Sequence, residues 1–541
     1  MIGSLVENRE KEIRHHHIRH QTFTSDMKRN RLIYFLALIK FILPFLLQHS
    51  IYEPHRDEFL YLAEGRHMAW GFMEVPPLLS VFAWLVHICG DGMFWIKCWP
   101  SLFGTLTFII VAKIILSLGG KTFALLLGFL PFITGVYLRV HFLFQPNFLE
   151  IFFWTLIAWS MISIVQTQQN KWLYIFGISV GLGMMSKYSV AFFVLSILTG
   201  LLLTRQRKIF QNKHFYAAGL LAFLIFLPNL VWQYLHHFPV VFHMKELRET
   251  QLQYVSPTSF LLDQLLMNLP CVFIWIAGLC FAGFTRKTNQ YRFIAWAYIS
   301  VIVLLLLGHG KNYYTLGAYP VLFAFGAYQL EQLTAVRFRF LRYVFVLVAV
   351  YLGYLFIPLA LPLFKPAELA AFYEKKHLAK TGALKWEDLK NHPLPQDFSD
   401  MLGWDEMSKK MADAYHTLDS NEKKHTILFC DNYGQAGAVN YYGAKYKMPA
   451  AYSDNASFLY WIPGKYDFEN IVLLTDDENE MQHAFIKNFK SAVLKDSVTS
   501  IYARERGDLI IILKGADSTF KKFFTEKLEK DKAKVNWQIK S

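Results

Sequence analysis

Apolar runs recur along the first two-thirds of the chain. They occupy residues 32–48, 94–117, 122–138, 147–166, 172–186, 188–204, 215–234, 261–284, 292–308, 315–331 and 343–363. A helix rises about 1.5 Å per residue, so runs of about 20 apolar residues can cross roughly 30 Å of hydrocarbon. The pattern predicts eleven spans. A shorter run at 77–90, "PLLSVFAWLVHICG", starts at a Pro pair and predicts a helix lying at the interface or dipping into it. After residue 364 the pattern changes. "HTILFC", "NIVLLTD" and "LIIILKG" read as short buried strands separated by polar, helix-prone segments. "KKFFTEKLEKDKAK" reads as a charged amphipathic helix. The expected fold class is a polytopic α-helical membrane protein with a C-terminal soluble α/β domain. Its parts are an N-terminal tail (1–31), a transmembrane domain (32–364) with an outer loop at 49–93, and the α/β domain (365–541).

Charge orients this arrangement. With the seven Lys/Arg of residues 1–31 in the cytoplasm, the loops "TRQRKIFQNK" (204–213), "TRKTNQYR" (285–292) and "EQLTAVRFRFLR" (331–342) also fall inside. All are basic, as the positive-inside rule requires. The loop at 235–260 balances Lys245 and Arg248 with Glu246 and Glu249 and falls outside. A full span at 77–90 would put the later basic loops on the wrong side. The stretch His55–Pro77 and everything after 364 are therefore expected to face outward.

Composition agrees. Of 541 residues, 54% are hydrophobic and 18% charged, against about 25% charged in a soluble domain. The net charge of +14 sits largely in short loops beside apolar runs, so it reads as topology and lipid contact, with no nucleic-acid partner. The five cysteines have no metal-site spacing and read as unpaired thiols. The triplet His15–His17 is a weak ligand set in a tail.

The stretch "HRDEFLYLAEGRHMAWGFMEVPP" (55–77) concentrates ionisable groups at the mouth of the first span. As a helix it places Asp57, Tyr61 and Glu64 on one face, while Glu58 points about 100° away from Asp57. A carboxylate here can take a proton from an incoming nucleophile or hold a divalent cation beside a phosphate. Interleaved Phe59, Leu60, Tyr61, Leu62, Trp70 and Phe72 predict that the segment docks on something apolar, the bilayer being the expected surface. Further ionisable groups fall on the same predicted side: Arg139, His141, Glu150, Lys187, Lys311, His236, His237 and His243. Each alone reads as an interfacial snorkelling residue. Together, the cations Arg139, Lys187 and Lys311 with the carboxylates Asp57, Glu58 and Glu150 suit a site that binds a lipid-linked phosphate and activates a nucleophile. Metal dependence stays open: His55, His67, Glu74 and His243 are possible ligands of a divalent cation, and no local spacing demands one.

The acidic pair after the first span, the Pro pair, "LGMMSKYS" (182–189), "PNLVWQ" (228–233) and "KNYYTLGAYP" (311–320) together resemble a known family. It is that of the bacterial relatives of dolichyl-phosphate-mannose protein mannosyltransferases, in the C-type glycosyltransferase superfamily that includes the lipid A aminoarabinose transferases. The resemblance spans about 32–364 and extends weakly into the tail through "DNYGQAGAVNYYGAKYKMPAAYSDNASFLYW" (431–461). It lies in the order and spacing of the motifs. It implies Asp57 as catalytic base, Glu58 as its partner, and Glu74 as the acid of an E-K-P motif whose lysine is Val75 here. Lys187 or Lys311 would then supply the phosphate contact, with Arg139 assisting. Glu150 matches the acid of a second outer loop, with Asn147 competing. His141, Tyr313 and Tyr314 are expected at the substrate.

The reading that follows is an inner-membrane glycosyltransferase. It would move a sugar from a polyprenyl-phosphate donor to a lipid, glycan or protein acceptor on the outer face, with inversion. The alternative is a transporter or flippase of a lipid-linked or anionic substrate, which should show an internal repeat and paired broken helices near the midplane. No such repeat is evident.

Overall fold

The computed structural model describes residues 27–463 and 468–535. The His15–His17 tract lies outside them. Each predicted apolar run is largely helical, but the lengths differ. Six helices are long and apolar enough to cross a membrane: Met27–Leu47, Met93–Ser117, Asn147–Thr167, Lys213–Leu235, Asn289–Leu307 and Leu341–Ala360. Two bent pairs add to these, Val190–Leu202 with Arg205–Gln211 and Pro257–Leu266 with Leu269–Phe284, turning by 109° and 60°. Length and composition therefore support six to eight spans among the described residues, where the hydropathy pattern predicts eleven. The difference lies in Thr122–Thr134, Lys171–Met184 and Tyr319–Leu333. A 14-residue helix rises only about 21 Å. The chain is a multi-pass membrane protein by these helices. Leu78–Ile88, 11 residues long, is too short to span.

Small residues let several helices touch backbone to backbone. A Cβ on Gly326 would lie 1.8 Å from the Ile274 carbonyl oxygen, and one on Gly278 would lie 2.0 Å from that of Leu322. Helix association in lipid relies on such close packing, because lipid tails are as apolar as the side chains.

The C-terminal part holds a five-stranded sheet: β1 (Thr426–Cys430), β2 (Ala451–Tyr452), β3 (Asn470–Thr475), β4 (Phe489–Ser497) and β5 (Leu509–Ala516). Their order is β2-β1-β3-β5-β4. β1 pairs parallel with β2 and β3, whereas β5 runs antiparallel to β3 and β4. The three predicted strands are β1, β3 and β5. β3 is buried along its whole length, which is why it reads as one unbroken apolar run. The two strands missed are a two-residue strand and a mostly exposed edge strand, neither of which leaves such a run. The final helix Ser518–Val535 buries Phe520, Phe524 and Leu528 at helical spacing.

Candidate active site

The segment after the first span forms a helix, Arg56–Arg66, whose start is closed by a reciprocal cap. His55 Nδ1 accepts from the Asp57 N–H at 3.1 Å, and Glu58 Oε2 accepts from the His55 N–H at 2.8 Å. This cap sends the two adjacent acids to different places. Glu58 is fully buried. Both of its oxygens lie 2.6–2.7 Å from the Lys97 ammonium, and Oε1 also accepts from the Phe144 N–H at 2.6 Å. With its oxygens taken inside the protein by Lys97 and two backbone N–H groups, Glu58 forms a buried ion pair and is turned away from Asp57's partners.

Asp57 faces a different set of groups. Its Oδ1 accepts from the Tyr433 hydroxyl at 2.7 Å and its Oδ2 from Gln145 Nε2 at 3.1 Å. Burial pushes its carboxyl up, but His55, the Tyr433 hydroxyl, Arg56 and Lys311 outweigh burial and hold it below the usual carboxylate range. It is ionised at neutral pH, as a base must be before it acts. Tyr61 shares the Asp57 face, as the spacing predicts, and lies within electrostatic reach of Asp57, Glu64, Tyr433 and Glu74. Glu64 is fully buried, and among the described residues neither of its oxygens has a hydrogen-bond partner. Burial, and then Glu74, push its carboxyl well above the ordinary range.

The cations divide. Lys311 lies 6.0 Å from the Tyr313 ring centre and makes no salt bridge with a described residue. Burial lowers its ammonium pKa, while Glu387 and Asp57 oppose that shift. Lys187 donates to Asn147 Oδ1 at 2.7 Å and to Glu150 Oε2 at 2.8 Å, and it sits 4.5 Å over the Tyr314 ring and 5.7 Å from that of Tyr313. Ser189 holds the other Glu150 oxygen. Asn147 and Glu150, competing candidates in the sequence, therefore both serve one lysine. Tyr313 ties the groups together: burial, then Tyr314, Asp57 and Glu150, raise its phenol well above the ordinary range.

Other candidates lie elsewhere. Arg139 pairs with Asp397 beside Phe398, so it joins the membrane helices to the C-terminal part and is spatially grouped with His55 and Asp400. His141 is fully buried, stacked on Phe132 and packed against Gly104, so it cannot touch a substrate in this arrangement. Glu74 accepts from the Ser457 N–H at 2.7 Å and from its hydroxyl at 2.6 Å, which ties the loop before the Pro pair to the C-terminal part. Burial raises its carboxyl against those bonds.

Neither Glu74 nor His243 belongs to a group of three ligand-type side chains converging within 4.8 Å among the described residues. His55, Asp397 and Asp400 do converge, but Nδ1 of His55 accepts a backbone N–H. His55 Nε2 faces the carboxylates, 3.6 Å from Asp400 Oδ2 and 3.8 Å from Asp397 Oδ1.

The aromatic residues of 55–77 do not simply rest on lipid. Phe59 packs on Trp404 and Tyr441, at 5.4 and 5.5 Å between ring centres. The docking surface is the C-terminal part, whose helix Tyr433–Tyr446 presents Gly437 to the Phe59 backbone. Trp70 remains 60% exposed. Tyr433, Gln145, Lys97 and Ser457 escaped the sequence reading. For Tyr433 the signal was present, since it lies in the tail segment that carries the resemblance.

Comparison with known proteins adds a family to this geometry. Residues 74–232 match the family described as dolichyl-phosphate-mannose-protein mannosyltransferase. No curated protein sequence matches the chain. Among solved structures, ArnT from Cupriavidus metallidurans bound to undecaprenyl phosphate is similar at 11% identity and a TM-score of 0.59, over 89% of this chain and 97% of that one. The apo form of the same protein gives 11% and 0.57 over 90% and 98%. The oligosaccharyltransferase of Archaeoglobus fulgidus, in complex with Zn and sulfate, gives 12% and 0.50 over 82% and 67%. At these identities the likeness is one of fold. The chain thus resembles the dolichyl-phosphate-mannose-protein mannosyltransferases in sequence over residues 74–232, and over most of its length it has the fold of the ArnT and oligosaccharyltransferase structures.

Proposed function

We propose that this protein is a membrane glycosyltransferase that moves a sugar from a polyprenyl-phosphate donor to an acceptor hydroxyl or amine. The observation that carries this reading is the convergence of one ionised carboxylate, Asp57, with Lys311, Lys187 and Tyr313 at the end of the membrane helices. The family match over residues 74–232 supports it. So does the fold shared with a structure that holds undecaprenyl phosphate.

In this reading the donor phosphodiester lies against Lys311, with Lys187 behind it on the tyrosine pair. The acceptor gives its proton to Asp57 and attacks the anomeric carbon. The bond from that carbon to the phosphate oxygen breaks, and the oxygen keeps the electron pair. Preorganised positive charge at that oxygen stabilises the leaving group. A single displacement inverts the anomeric carbon. No second carboxylate is needed on the opposite face, in contrast to a hydrolase that activates water.

Lys311 gives the cleaner test, because Lys187 is bound to the buried Glu150 and its removal would leave that carboxylate unpaired. Lys311→Met should weaken binding of undecaprenyl phosphate to the purified protein by about tenfold, the effect of losing one charge-assisted contact of roughly 1.5 kcal/mol. Unchanged affinity would remove Lys311 from the donor site. Release of polyprenyl phosphate from a sugar-loaded donor separates a transferase from the transporter or flippase alternative.

The proposed placement is a bacterial inner membrane with the N-terminus in the cytoplasm and residues 365–541 outside. Cys430 is buried in β1, so it cannot report on sidedness through an impermeant thiol reagent. A reporter fused after Ser541 can. Activity of a reporter that works only outside the cytoplasm is the expected result, and a cytoplasm-only signal would overturn the topology.

A further inference from the structure

We infer that Tyr433, supplied by the C-terminal part of the chain, is a positioning residue for Asp57, holding the carboxylate in place through the hydrogen bond from its hydroxyl. This rests on the reading of Asp57 as the base. Tyr433 is 376 residues away in sequence, and its hydroxyl is 2.7 Å from Asp57 Oδ1.

The structure fixes the tyrosine from several directions. It is the first residue of the helix Tyr433–Tyr446, whose start is locked by a reciprocal cap between Asn432 and Gln435. The guanidinium of Arg56 lies 4.7 Å over the ring, and Glu505 stands 3.6 Å from Arg56 Nε. Two glycines allow the approach. A Cβ on Gly434 would lie 2.5 Å from Arg56 Cγ, and one on Gly437 would lie 2.7 Å from Phe59 Cβ. Both contacts are on the helix that carries Asp57, so the spacing of three residues lays one helix against the other.

The chemistry follows from the donor. A hydroxyl that donates to a carboxylate favours its charged form and fixes its rotamer. The partner must remain protonated to do this. Burial, and then Asp57, push the Tyr433 phenol well above its ordinary range, so it stays a donor at any working pH. The other titratable groups facing Asp57 are His55, Arg56 and Tyr61 on its own segment, Lys311 and Tyr313 on the loop before Tyr319, and Asp400. Among all of these, Tyr433 is the one whose hydroxyl touches the carboxylate. Docking of the C-terminal part and completion of the site are then one event.

The test does not need turnover. A water-soluble carbodiimide modifies protonated carboxyls, and peptide mass spectrometry reads the modification of Asp57 in the full-length protein as a function of pH. Tyr433→Phe keeps the ring under Arg56 and removes only the donor. The labelling midpoint of Asp57 should move upward by about one pH unit, because the lost bond had favoured the ionised form. Tyr442→Phe removes a hydroxyl that donates to Glu53 at the same junction and should leave the Asp57 midpoint unchanged. A 3-fluorotyrosine at position 433, a stronger donor of nearly the same size, should move the midpoint the opposite way. A midpoint that does not respond to either change at 433, or that responds equally to Tyr442→Phe, overturns the assignment. A shifted midpoint in a protein that releases no polyprenyl phosphate would leave the Tyr433–Asp57 pairing standing and remove the glycosyltransferase reading instead.

Discussion

Asp57→Asn is expected to give a normally inserted protein that binds undecaprenyl phosphate and transfers sugar at least about 100-fold more slowly, the lower end of what general-base catalysis contributes. Asparagine keeps the size of the side chain, and its carbonyl oxygen can still accept the Tyr433 hydroxyl. It cannot take the acceptor's proton. Binding is expected to persist because Lys311 and Lys187 are untouched. The measurement is the initial rate of polyprenyl-phosphate release beside a binding isotherm for undecaprenyl phosphate. Near-normal transfer by Asp57→Asn would remove Asp57 as the base. Glu58 is then no substitute, since its oxygens face Lys97 and two backbone N–H groups. Glu150, bound by Lys187 and Ser189, would need its lysine to move first.

The second large effect is on stability. Lys97→Met should destabilise the fold by about 3–5 kcal/mol, the usual cost of removing one partner from a buried ion pair. Lys97 is 1% exposed and Glu58 is not exposed at all, so the orphaned carboxylate finds no water. It would also disturb the site indirectly, because the same Glu58 oxygen pair closes the start of the helix that carries Asp57. The double variant Glu58→Gln with Lys97→Met removes both charges. It should recover part of the loss, though one glutamine oxygen cannot accept the backbone bonds that two carboxylate oxygens took. Thermal unfolding in detergent reads the three proteins side by side. A Lys97→Met protein as stable as the parent would refute the ion pair's structural role.

These two variants also separate the adjacent acids, which the sequence presents as a pair. Helical geometry alone shows that Asp57 and Glu58 point about 100° apart. It does not say which one faces inward. That depends on Lys97 and Phe144, which arrive from the next membrane helix and from the turn before Asn147.

Much else was legible locally. The positions of the apolar helices, though not how many of them are long enough to span, the strands β1, β3 and β5, the amphipathic final helix, and the shared face of Asp57, Tyr61 and Glu64 follow from periodicity. Such features repeat within a few residues, so a single stretch of sequence contains them. The order of motifs along the chain likewise carried the family resemblance. Tertiary structure decided the pairings across long separations: Glu58 with Lys97, Lys187 with Glu150, Arg139 with Asp397, Glu74 with Ser457, and Tyr433 with Asp57. Whether a charge is catalytic or structural depends on which opposite charge lies within a few ångströms and how much water remains. Hydrophobic and polar spacing along the chain records neither.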